Sequence, residues 1–143
     1  MTARKAFIDS NVLLYLLSAD TAKADRAEAI VQAGGRISVQ VLNEITNVAR
    51  RKLAMPWPEV NEVVKLIQSL CPVEPLTVET HDKGRQIAER YGFSVYDAMI
   101  IAAALLSGCE TLYSEDMQDG MLIEEEGLRV RNPFAAGLSL GAV

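Results

Sequence analysis

The sequence predicts an α/β fold in which a parallel sheet is covered on both faces by helices. Three observations carry this. Short β-branched or aromatic runs alternate with helical segments almost throughout. The helical segments are amphipathic, at spacings of three and four. One helix near the C-terminal third is apolar over nine consecutive residues, Ala98 to Leu106, as expected of a helix buried in the centre of such a fold.

Taken in order, Lys5 to Ile8 is a short apolar strand, closed by Asp9-Ser10-Asn11, three residue types that cap helices. The helix after them runs from Val12 to Leu17. Thr21 to Ala33 carries Ala24, Ala27, Ile30 and Ala33 in helical register and stops at Gly34-Gly35. Arg36 to Val39 is the second strand, followed by a helix with Val41, Leu42, Ile45, Val48, Ala49 and Leu53 on one side. Met55-Pro56-Trp57-Pro58 breaks that helix, and the pattern restarts from Val60 to Leu70 until Cys71-Pro72. Val73 to Val78 is a third strand. Thr80 to Tyr91 forms a polar helix ended by Gly92, and Ser94-Val95-Tyr96-Asp97 opens the apolar helix, which Ser107-Gly108 closes. Glu110 to Tyr113 and Leu128 to Val130 are the last strands, around a polar turn from Ser114 to Gly120. Residues 1–134 are read as one domain and 135–143 as a flexible tail, from small residues without periodicity.

Composition removes several function classes. The 143 residues are half hydrophobic and 23% charged, which excludes disorder as a global description. The longest apolar run falls well short of the ~18 to 20 residues of a bilayer span, and Asp9 and Asn11 interrupt the N-terminal apolar stretch, so a cytoplasmic protein is expected. Cys71 and Cys109 lack metal-ligand or disulfide spacing and read as core thiols. A net charge of -5 is the wrong sign for holding nucleic acid by phosphate neutralisation alone. With His81 as the sole imidazole, in a polar stretch expected to be solvated, histidine zinc cages and Ser-His-Asp triads lack parts.

Carboxylates remain. Asp9 closes the first strand, Glu44 lies in the first turn after the second, Asp97 opens the apolar helix, and Asp116 follows the fourth strand. In a parallel sheet these positions share the carboxyl edge, where ligands collect. Each acid alone is explained by helix capping. Four together repel one another and raise one another's pKa unless a cation compensates them. Oxygen donors without sulfur or imidazole select Mg²⁺ or Mn²⁺, and phosphodiester hydrolysis is the chemistry such a centre performs.

The segments Phe7-Ile8-Asp9-Ser10-Asn11-Val12-Leu13, Asn43-Glu44, Tyr96-Asp97-Ala98, Ser114-Glu115-Asp116-Met117-Gln118-Asp119-Gly120 and Asn132-Pro133-Phe134 resemble the PIN-domain ribonucleases, particularly VapC-type toxins of toxin–antitoxin pairs. The resemblance covers residues 5 to 134. It implies a three-layer α/β/α sandwich with a mostly parallel central sheet, Mg²⁺- or Mn²⁺-dependent endoribonuclease activity on cellular RNA, a homodimer, and a cognate antitoxin. On this pattern Asp9 and Asp97 are the principal metal ligands, Glu44 a ligand or water-orienting group, and Asp116 a ligand acting through water. Ser10, Asn11 and Ser114 match the polar residues that orient them. Asp119 either assists a second metal or is a solvated turn residue. No departure from the acidic quartet is present.

Two further features stay open on sequence grounds. Arg50 or Arg51 holds a phosphate flanking the cut, or the two form a solvated basic face near a helix C-terminus. Trp57 is a partner-binding anchor or, the preferred reading, a packing residue of the helix corner. A receiver or phosphohydrolase domain needs a functional lysine after a strand, and a dinucleotide-binding domain needs a Gly-rich first turn; the chain has neither. A PIN-type nuclease of RNA maturation or DNA cleavage, and a catalytically idle interaction module, remain as alternatives.

Overall fold

The computed structural model describes residues 5–124 and 127–135. Strand β1 (Ala6–Ile8) leads into helix α1 (Ser10–Leu14), which tightens into a 3-10 turn over Tyr15–Leu17, and then into α2 (Thr21–Gln32). Strand β2 (Gly35–Ser38) is followed by α3 (Val39–Arg51) and α4 (Trp57–Leu70). After β3 (Val73–Glu74) come α5 (Val78–Tyr91) and α6 (Val95–Leu106). Strands β4 (Thr111–Tyr113), β5 (Leu122–Ile123) and β6 (Leu128–Arg131) complete the sheet. The expected tail, beyond Ala135, lies outside the described residues.

The six strands stand in the order β3-β2-β1-β4-β6-β5. All neighbours pair parallel except β5 and β6, so the sheet is mostly parallel and flanked by helices, as predicted. β1 occupies the middle. Its Phe7 and Ile8 are fully buried, as a strand covered on both faces requires. Helix α6 buries every residue from Ala98 to Ala104 and packs on α5. Cys71 and Cys109 are buried thiols, and His81 is exposed.

Local chemistry sets the ends. Ser38 caps α3 and Ser94 caps α6 through their hydroxyls. Thr77 and Thr80 form a reciprocal capping box on α5, which ends at Gly92 with φ of 79°. Two expectations are corrected. The third strand stops at Glu74 instead of reaching Val78, because Pro75 offers no N–H and the α5 cap begins at Thr77. The antiparallel strand β5 was not anticipated. Among the described residues, no helix is long and apolar enough to cross a membrane.

Candidate active site

The parallel order brings the ends of β1, β2 and β4 to one edge, and the acidic residues follow from it. Asp9 is the residue after β1, and its backbone N–H donates to the Tyr113 carbonyl of β4 at 2.9 Å. Its side chain is only 2% exposed. Oδ1 accepts from the Ser10 backbone N–H at 2.7 Å, which caps α1. Oδ2 accepts from the Ser114 hydroxyl at 2.8 Å and from Asn11 Nδ2 at 3.2 Å. Asn11 in turn ties down the loop after β4, its Oδ1 accepting from the Glu115 N–H at 3.0 Å.

Glu44, on the second turn of α3, reaches the same place. Its Oε1 accepts from the Ser10 hydroxyl at 2.7 Å, and that hydroxyl also stands 3.4 Å from Asp9 Oδ1. Oε2 accepts from Gln40 Nε2 at 3.2 Å. Ser10 therefore bridges two carboxylates that have no cationic partner among the described residues. Gln40 was not singled out in the sequence, although its position four residues before Glu44 places both on one helical face.

Asp97 lies in the first turn of α6, where its N–H donates to Ser94 Oγ at 3.2 Å. Asp116, in the loop after β4, is exposed. No ion pair engages Asp9, Glu44, Asp97 or Asp116 among the described residues.

The electrostatics follow. Burial pushes the Asp9 carboxyl up from 3.8 to about 7; the Ser114 and Ser10 hydrogen bonds oppose this, while the charges of Glu44 and Asp97 add to it. Asp97 is also raised, first by burial and then by the charge of Asp116, against the hydrogen bond from Ser94. Asp9 thus feels the charges of Glu44 and Asp97, and Asp97 that of Asp116. Among the described residues no lysine or arginine pairs with buried Asp9 or its anionic neighbours, so none supplies it a counter-charge.

A hard divalent cation fits this donor set by charge and by atom type, since all the donors are oxygens. The set is open as it stands: among the described residues no three His, Cys, Asp or Glu side chains are gathered closely enough to enclose an ion. The Ser10 hydroxyl joins Asp9 to Glu44.

The remaining candidates divide. Ser10, Asn11 and Ser114 touch the carboxylates directly. Asp119 does not: its exposed Oδ1 accepts from the Asn132 N–H at 2.8 Å, so it is a turn residue. Arg50 is engaged elsewhere, donating to the Met55 carbonyl at 2.8 Å and lying 4.8 Å from the Trp57 ring centroid. Arg51 lines a groove of about 570 Å³ together with Glu44 and Tyr96. Trp57, read as a packing residue of the helix corner, packs there only in part: Arg50 of α3 lies against its ring, while 52% of the residue stays exposed.

Comparison with known proteins places this geometry. A family profile described as PIN domain matches residues 6–118. No curated protein matches the chain. Among solved structures, a toxin–antitoxin complex from Klebsiella pneumoniae is similar at a TM-score of 0.69 and 20% identity, covering 91% of this chain and 98% of that one. The DNA-bound VapBC of Salmonella typhimurium is similar at 0.66 and 19% identity, covering 92% and 99%. VapC20 of Mycobacterium tuberculosis, described as a toxin cleaving the sarcin-ricin loop, is similar at 0.61 and 17% identity, covering 78% and 90%. At these identities the likeness is one of fold.

Proposed function

This chain belongs to the PIN-domain family, and on that premise we propose that it is a divalent-metal-dependent endoribonuclease, the toxin of a type II toxin–antitoxin pair, acting on cellular RNA in the cytoplasm. The observation that carries the reading is Asp9, a buried carboxylate that feels the charges of Glu44 and Asp97 and has no ion-pair partner among the described residues.

Asp9 and Asp97 would hold Mg²⁺ or Mn²⁺, with Glu44 and Asp116 completing the acidic set. Such a cation supplies charge neutralisation at the scissile phosphate and lowers the pKa of water. This chain's own residues do the positioning. Ser114 and Asn11 fix Oδ2 of Asp9, the Ser10 N–H fixes Oδ1, and Ser10 with Gln40 orients both oxygens of Glu44. One lone pair on each Glu44 oxygen is left to orient a water or meet the cation.

The solved structures of similar fold include toxin–antitoxin complexes, which supports a protein antitoxin here. An apolar hollow of about 330 Å³ between Leu14, Leu17, Val48 and Leu53, bordered by Asn11, gives it a seat beside the acids.

The test is cleavage of single-stranded RNA with Mn²⁺, with EDTA, and by Asp97→Asn, with single-stranded DNA in parallel. Metal-dependent RNA scission lost in the variant is expected. Scission of DNA alone favours the DNA-cleaving alternative, and no scission of either favours an idle interaction module.

A further inference from the structure

A groove leads away from the acidic centre along α3. Its inner lobe, about 570 Å³, is lined by Glu44, Asn43, Asn47, Arg51 and Tyr96. Its outer lobe, about 430 Å³, shares Asn43, Asn47 and Arg51 and ends on Arg50 and Trp57. The shared lining makes the two continuous. From Glu44 to Arg51 the helix rises about 10 Å, so the chemistry changes within a short span from carboxylate, to neutral amides, to guanidinium, to indole.

Each part has an unused capacity. Arg51 is exposed and makes no hydrogen bond or ion pair among the described residues. Its charge is therefore available to an anion, in a chain whose net charge of -5 gives a polyanion few places to settle. Arg50 has a different role. Pinned to the Met55 carbonyl, its guanidinium lies against the Trp57 ring and holds it in place, while about half of Trp57 stays open at 52% exposure. A fixed, open indole beside a cation suits an unpaired base next to its phosphate. Tyr96, 67% exposed, offers a second ring at the end near Asp97.

We propose that this groove binds the single-stranded RNA flanking the scissile bond, Arg51 contacting a phosphate and Trp57, backed by Arg50, stacking a base. The proposal rests on the nuclease reading above and adds the path by which substrate reaches the acids.

Trp57 is the only tryptophan in the chain, so intrinsic emission reports on this ring alone. Metal-free protein in EDTA is titrated with a labelled single-stranded oligoribonucleotide of about twelve nucleotides, following emission and the anisotropy of the label together. The expected result is saturable quenching of Trp57 that tracks the anisotropy, with a blunt duplex of the same sequence much weaker. Trp57→Ala weakens binding about tenfold and Trp57→Phe restores most of it. Arg51→Ala lowers the slope of log affinity against log salt by about 0.7. In cleavage assays both alanine variants raise KM more than they lower kcat. RNA binding that leaves Trp57 emission unmoved, or unchanged KM in both variants, overturns the proposal. Emission that answers only to a co-expressed protein partner and not to RNA also overturns it. Failure of the two readings is distinguishable: cleavage with an indifferent Trp57 removes the groove and leaves the nuclease, whereas a responsive Trp57 without any cleavage removes the nuclease and leaves an RNA-binding groove.

Discussion

Replacing Asp9 with asparagine stabilises the metal-free protein at alkaline pH, although it removes a residue at the heart of the site. The magnitude follows from the carboxyl's displacement from 3.8 to about 7; at about 1.4 kcal/mol per tenfold change in proton affinity, ionised Asp9 weakens the fold by roughly 4 kcal/mol. The native state binds this proton more tightly than the unfolded chain does. The penalty is therefore absent below about pH 4, grows as the unfolded carboxyl ionises, and is complete above about pH 7. Asparagine cannot ionise. Its oxygen still accepts from the Ser10 N–H, and its amide can donate to Ser114 Oγ, but the altered geometry reduces the gain to about 2 to 3 kcal/mol. In a domain of this size that is a rise in Tm on the order of 6 to 10 °C. The assay is thermal and urea unfolding of both proteins in EDTA at pH 8 and pH 4. Asp9→Asn more stable at pH 8, with the advantage gone at pH 4, is expected. A variant destabilised equally at both values would refute the reasoning, because Asp9 would then act only as a hydrogen-bond acceptor.

Other perturbations follow from the same contacts. Ser114→Ala removes the donor 2.8 Å from Asp9 Oδ2, so the Asp9 carboxyl moves still higher, measurable by carboxyl-carbon NMR titration; a downward or absent shift counts against the assignment. Mn²⁺ at a hundred times its dissociation constant stabilises the wild type by about 2.7 kcal/mol in urea melts and leaves Asp9→Asn nearly unmoved. Gly35→Ala sets a β-carbon 2.7 Å from Cγ1 of Ile8, which is fully buried beside Asp9. The overpacking costs about 2 kcal/mol by urea midpoint, and a neutral outcome would show that β1 can shift without loss.

Much of the architecture was legible because local signals agreed with the fold. The nine apolar residues after Asp97 could only be a buried helix, and Gly34-Gly35, Pro72 and Gly92 punctuated the chain where elements end. The common edge of the acids followed from strand polarity, which alternation with helices dictates. What escaped depends on contacts distant in sequence. β5 is two residues long and exists through its antiparallel pairing with Leu128 and Arg129, a register that periodicity over so short a stretch cannot express. The Ser10 bridge to Glu44 spans 34 positions. Trp57 read as a corner residue because flanking prolines announce a corner without saying which way it faces; the answer lies in Arg50, seven residues earlier, covering the ring.

The central claim, that Asp9 and Asp97 belong to one cation-binding centre, is tested most directly by calorimetric titration of Mn²⁺ at pH 7 in two buffers of different ionisation enthalpy. Because Asp9 is about half protonated there, the account predicts saturable binding with release of about half a proton, lost in Asp9→Asn and Asp97→Asn. Heat that is unsaturable, or binding that survives both substitutions unchanged, would contradict it.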